Sequence, residues 1–239
     1  MSITTGYERV TAQDGGSFEA YCAAPASGRG PGILLFQEIF GINDNMRGLA
    51  DKLALEGYVV LVPDMFWRLE PRFERKDESG FGDAVAMVQR FDLDLGRADI
   101  AATHAHLAGL PACTGKVGAV GFCLGGTLTF AAAATSRVAG RGPDAAVSYY
   151  GSGNNDLLGL VDEVECPILF HYGENDPFIP EAQLVEVEEA IAGHPNMELH
   201  RYAGAGHAFS NWDAPSMYQP EAAELAWSRT LSFFAEHLS

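Results

Sequence analysis

The chain has 239 residues, 47% of them apolar, 20% charged and 10% aromatic, an ordinary globular composition at a length that fits one large domain or two small ones. Fifteen Lys and Arg face 32 Asp and Glu, a formal charge of −17, which excludes a bulk electrostatic attraction to nucleic acid or to an anionic membrane surface. A chain of this size can bury a core large enough to fold without disulfides or metals.

In chain order, the N-terminus has no charged segment leading into an apolar one, so no signal peptide is read. Residues 7–24 read as a hairpin: Tyr7–Ala12, a turn at Asp14-Gly15-Gly16, then Ser17–Ala23. Gly32–Phe36 is a continuous apolar run that suits a strand buried on both faces. A helix is expected from about Asn45 to Glu56, with Asn43 or Asp44 as N-cap and Gly57 as its stop. Tyr58–Val62 is the next strand, ended by Pro63. Phe66 to Gly82 is charged and irregular and reads as a long surface excursion. A helical pattern resumes near Asp83 and runs, interrupted, to about Leu110.

The second half continues the alternation: strand Lys116–Gly121, helix Leu124–Thr135, strand Ala145–Tyr150, strand Cys166–His171, a helix with Pro180 in its first position, strand Glu198–Tyr202 and a terminal helix over Glu221–His237. Strand–helix alternation of this kind predicts an α/β fold, a mostly parallel central sheet with helices on both faces and an N-terminal hairpin. No repeat, low-complexity tract or linker divides the sequence, so a single domain over 1–239 is expected. No apolar run reaches the length of a membrane span. Cys22, Cys113, Cys123 and Cys166 are widely spaced, without a C-x-x-C pair or a Cys/His cluster of zinc spacing. Scattered cysteines in a chain this long suit a reducing cytoplasm, so a soluble cytoplasmic protein is expected, without metal or organic cofactor.

The strongest local signal is Gly118-Ala119-Val120-Gly121-Phe122-Cys123-Leu124-Gly125-Gly126. It has the G-x-S-x-G arrangement between a strand and a helix, with cysteine in the serine place. A side chain on so sharp a turn sits on strained backbone, and glycine two residues either side avoids clashes. The thiol then stands above the sheet at a helix N-terminus, where the dipole favours a thiolate, and the Leu124 amide points into the same space. A buried, inert Cys123 among packing glycines is the plain alternative.

Acid and histidine are expected after the nucleophile in chain order. The loop after strand 166–171 offers Asp176, with Glu174 as rival; the glycine-rich loop after strand 198–202 offers His207. Asp176 would orient the imidazole and His207 would share the thiol proton. His104, His106, His194 and His237 lie in helical stretches and His200 mid-strand, and these read as structural or solvated; His171 reads as packing. Glu38, in Gln37-Glu38-Ile39-Phe40-Gly41 after strand 32–36, is unexpected beside a thiol: it would hold the thiol protonated, or take the proton itself.

At these residues the sequence resembles the dienelactone hydrolase (carboxymethylenebutenolidase) family. The resemblance is carried by Gln37 to Gly41 with Asn43, Met46 and Arg47, by Gly57-Tyr58 with Pro63-Asp64, by Gly115 to Gly126, by Tyr149-Tyr150-Gly151 and by Ala205-Gly206-His207. It implies an α/β-hydrolase fold and cleavage of the enol-lactone ring of dienelactone to maleylacetate, as in bacterial breakdown of chlorinated aromatics. It further implies Cys123 as nucleophile, His207 and Asp176 as its partners, the amides of Ile39 and Leu124 as oxyanion hole, and Glu38 paired with the resting thiol and taking its proton when substrate arrives. The family's two carboxylate-binding arginines fall where this chain has Phe81 and Asn211. Those two positions, with Arg75 or its neighbours Arg68 and Arg72 as replacement cations, are the substrate-binding candidates. The expected substrate is a small-molecule lactone or ester, with a neutral one preferred over dienelactone, handled by a monomer or small homo-oligomer. A general carboxylesterase of the same fold, or a ligand-binding protein on a hydrolase scaffold, is the alternative.

Overall fold

The computed structural model describes residues 2–239. Its eight strands are β1 (Thr4–Thr11), β2 (Ser17–Ala24), β3 (Gly30–Phe36), β4 (Val59–Pro63), β5 (Cys113–Phe122), β6 (Ala145–Tyr149), β7 (Ile168–Gly173) and β8 (Met197–Tyr202). Six helices connect or follow them: α1 (Asp44–Leu55), α2 (Phe81–Val88), α3 (Leu93–Gly109), α4 (Leu124–Thr135), α5 (Glu181–Ile191) and α6 (Pro220–Leu238). The strands form one sheet in the order β1-β2-β4-β3-β5-β6-β7-β8. β1 and β2 form the expected hairpin, with Asp14 Oδ1 accepting from the Gly16 amide in the turn, and β2 joins antiparallel to β4. From β4 to β8 every neighbouring pair is parallel.

Period-two alternation explains how both faces are covered. Ile33 and Leu35 of β3 pack with Met46 and Leu53 of α1 and with Phe234 of α6. Leu34 and Phe36, pointing the other way, pack with Ile100 and Leu107 of α3 and Leu128 of α4. β4, β6 and β7 are buried along their whole length, which is why they are dominated by apolar residues. Burying each such large side chain contributes about 1.5–3 kcal/mol.

One local choice is settled and two expectations change. Asn43, not Asp44, caps α1: its side chain accepts from the Met46 amide. Pro180 is the extended N-cap of α5 rather than its first helical residue. The 66–82 segment is not simply a surface excursion, because Phe66 and Phe73 are buried with Phe40, Ala84 and Met87 in a third apolar cluster. The charged residues between these two phenylalanines hid their anchoring role. The segment is also stitched to the sheet end, where Gly41 bridges Glu74 and the Arg75 amide donates to the Phe40 carbonyl.

Chain order makes β3 the switch point. From β3 the chain crosses to β4 on one side and later returns to β5 on the other, which leaves a crevice at the carboxyl ends of β3 and β5. Glu38 follows β3 and Cys123 follows β5, so the two chemically loaded motifs open onto that crevice.

Candidate active site

β5 ends at Phe122 and α4 begins at Leu124, so Cys123 alone makes the turn, at φ 56° and ψ −116°. A non-glycine residue there carries strain of about 1–3 kcal/mol, which the surroundings must hold in place. They do so by close approach. A Cβ on Gly121 would lie 2.1 Å from the Gly125 carbonyl oxygen, one on Gly125 2.2 Å from the Phe36 oxygen, and one on Gly126 2.4 Å from the Tyr149 oxygen. The Cys123 amide donates to Tyr149 O, and Cys123 O accepts from the Gly126 and Thr127 amides. At the open end of α4 the Leu124 N–H has no acceptor within the helix, and the Ile39 amide likewise donates to nothing among the described residues.

The structure brings Cys123, His207 and Asp176 together. The His207 ring lies with Nε2 3.1 Å from the Cys123 Sγ and Nδ1 2.7 Å from Asp176 Oδ2. Asp176 Oδ1 accepts from the Phe178 amide, so both carboxylate oxygens are engaged and the side chain is inaccessible. Burial works against charge on His207, yet the pull of the Cys123 sulfur and the Asp176 hydrogen bond outweigh it and push its pKa up to about 10. Glu174, the rival acid, is exposed.

Glu38 is buried, but its hydrogen bonds do not go to the thiol. Oε2 accepts from Asn211 Nδ2 at 2.5 Å and Oε1 from the Tyr150 hydroxyl at 3.2 Å. Burial raises its pKa, opposed by His207 and by those two donors. Tyr150 is itself held at φ 36°, with its ring 5.1 Å from His207. The Tyr149-Tyr150-Gly151 motif at the end of β6 marked this residue without revealing its partner.

A cavity of about 400 Å³ opens beside Cys123, lined by Glu38, Ile39, Phe40, His207 and a largely apolar wall. Four of the substrate-binding candidates are misplaced for that role. Asn211 is buried behind Glu38 and does not line the cavity. Arg75 turns away, its Nε on Asp83 and its guanidinium over the Phe73 ring, because the local carboxylate and ring hold it. Arg68 is likewise tied to Asp99 and Asp14, and Arg72 to Glu19. Phe81 does line the cavity, together with Val85, Val88 and Phe178, which the sequence reading missed. Among the described residues lining it, none is Lys or Arg.

Of the other histidines, His171 is fully buried between the Tyr202 hydroxyl and Thr230, and His104 is buried against Ser136, its pKa lowered by burial to about 4. Both are built into the core. The four cysteines are free. No helix of the described residues is long and apolar enough to cross a membrane.

The family model of the dienelactone hydrolase family matches residues 18–238. The chain belongs to that family. Among curated relatives, the carboxymethylenebutenolidase of Pseudomonas sp. (strain P51) is 38% identical over 93% of this chain and 91% of its own length. The carboxymethylenebutenolidase of Pseudomonas putida is 37% identical, over 95% and 94%. A Klebsiella pneumoniae crystal structure provisionally named a dienelactone hydrolase superposes with a TM-score of 0.84 at 28% identity, covering 98% of this chain and 99% of that one. Pyrococcus furiosus esterase Pf2001, at 15% identity and a TM-score of 0.75 over 99% and 94%, shares the fold. The chain is thus a hydrolase of the dienelactone hydrolase family, with the α/β-hydrolase fold.

Proposed function

We propose that this family member is a cysteine-dependent hydrolase of an uncharged lactone or small ester. The observation that carries the reading is the continuous line Asp176–His207–Cys123, ending at a cavity whose described lining includes no Lys or Arg. His207 Nε2 takes the thiol proton, and its raised pKa favours the imidazolium beside the sulfur. The sulfur attacks the acyl carbon while the Ile39 and Leu124 amides receive the oxyanion. The carbon–oxygen bond breaks and the imidazolium protonates the departing alkoxide. Water, losing a proton to His207, then attacks the thioester; the carbon–sulfur bond breaks and the carboxylic acid product leaves. Glu38, raised in pKa by burial and fixed by Tyr150 and Asn211, is the second proton-holding group at the sulfur's edge of the site.

The curated relatives' name supports a lactone or ester as substrate. The occupied arginines and the buried Asn211 favour an uncharged substrate over one bearing a carboxylate, since no Lys or Arg lines the cavity and both ring nitrogens of His207 are already engaged by Asp176 and Cys123. Free cysteines support a reducing, cytoplasmic setting. Two measurements test the reading. Cys123→Ala should abolish turnover of p-nitrophenyl acetate, and iodoacetamide should label one thiol of the wild type in step with activity loss. Activity surviving that substitution refutes the nucleophile, and labelling of Cys123 without any turnover would favour a binding protein. For the substrate, kcat/KM on dienelactone is expected below that on a neutral lactone, and the reverse order refutes the preference.

A further inference from the structure

Helix α2 carries two apolar stripes, and only one of them faces the core. Ala84 and Met87 are buried against Phe40, Phe66 and Phe73. Phe81, Val85 and Val88, spaced i, i+4 and i+7, form a second stripe that lines the cavity beside Cys123. Phe81 remains 38% exposed, and across the mouth Phe178 remains 46% exposed. Their ring centroids are 6.2 Å apart, and Phe178 also meets His207 edge to face at 5.0 Å. Two large aromatic side chains left wet and facing each other at the rim of a cavity leave apolar area that a bound group would cover.

Size and charge narrow that group. At about 30 Å³ per heavy atom, the share of a water molecule in the liquid, a 400 Å³ cavity has room for about thirteen heavy atoms. An ester linkage with its flanking carbons uses only part of it. At the rim the Glu78 carboxylate, tied to the Ser216 hydroxyl, repels a second carboxylate.

We propose that the preferred substrates are uncharged esters or lactones with an apolar tail of about six to eight carbons, gripped between the Phe81–Val85–Val88 stripe of α2 and Phe178. The proposal rests on the reading that an uncharged ester or lactone is hydrolysed in this cavity. Each methylene the stripe covers raises kcat/KM about fourfold, until the cavity is full.

The experiment is a pair of chain-length series. One lengthens the acyl chain of p-nitrophenyl esters from acetate to octanoate, and the other lengthens the alcohol of alkyl acetates. A rise on the order of a hundredfold between the two-carbon and six-carbon members of either series is expected, and a flat response in both overturns the proposal. In Phe81→Ala and Phe178→Ala the ratio of long-chain to short-chain kcat/KM should fall about tenfold. Wild-type ratios in both variants, with wild-type melting temperatures, would also overturn it. The p-nitrophenyl monoester of a six-carbon dicarboxylic acid should react more slowly than the hexanoate, and equal rates refute the requirement for an uncharged tail. Cys123→Ala separates the two readings: a variant that keeps turnover and keeps the chain-length slope would sink the nucleophile while leaving the grip intact.

Discussion

Replacing Asp176 by Asn tests the geometry of the site with little change in shape. Asp176 Oδ1 accepts from the Phe178 amide and Oδ2 faces His207 Nδ1 at 2.7 Å, with no solvent access to the side chain. Asparagine keeps the first acceptor but presents an NH₂ group to the imidazole, so Nδ1 must become the acceptor and the ring carries its proton on Nε2. That tautomer cannot take a proton from the Cys123 thiol. A hydrogen bond to a charged group contributes about 1.5–3 kcal/mol, equivalent to a fall of about 1–2 pKa units for the imidazolium, down from about 10 in the parent. The same exchange in serine hydrolases costs about 10⁴ in kcat, and a loss of about 10³–10⁴ in kcat/KM is expected here. The assay is ester hydrolysis against pH, beside the alkylation rate of Cys123. In the wild type the activity should fall on the alkaline side as His207 loses its proton near 10, and in the variant that limb should move to lower pH. A variant retaining a third of wild-type kcat/KM with an unmoved limb would refute the reasoning.

Two further outcomes follow from the same geometry. Glu38→Gln should lose activity yet melt at a higher temperature than wild type at pH 8. Burial raises this carboxyl's pKa, so the stability it contributes is complete below 4.5 and is lost as pH rises through its folded value; the variant's advantage should therefore close below pH 4.5, and a pH-independent difference would contradict the burial argument. Gly125→Ala should cost about 3 kcal/mol, because its Cβ would lie 2.2 Å from the Phe36 carbonyl oxygen and 2.7 Å from that of Gln37, both rigid backbone. At about 2–4 °C per kcal/mol this is a fall of roughly 6–12 °C by scanning calorimetry, and an unchanged melting temperature would show that the elbow yields.

The chain's layout was legible because strands buried on both faces are written as apolar runs and because Gly121, Cys123 and Gly125 have few other uses at that spacing. The grouping of Cys123, Asp176 and His207 was legible because each follows the end of a strand. The failures have a common cause. Asn211, Arg75 and Phe178 lie on irregular segments, where a side chain's direction depends on partners distant in sequence: Glu38 for Asn211, Asp83 and Phe73 for Arg75, His207 for Phe178. The second stripe of α2 was present in the sequence, but periodicity alone cannot tell a core-facing residue from one that faces a cavity. The phenylalanines at 66 and 73 were masked by the charges between them, although each is buried.

The absence of Lys and Arg from the described cavity lining also bears on what happens after the chemistry. Ester hydrolysis turns an uncharged molecule into an acid that ionises at neutral pH, so the product carries a charge that the substrate lacked. It forms between the buried Glu38 and Glu78 at the rim, inside a chain of net charge −17. The Glu78 carboxylate and the net charge push a new anion outward, against the pull of the His207 imidazolium. Beyond that one contact no Lys or Arg among the described lining residues holds the carboxylate, so the product should leave into solvent.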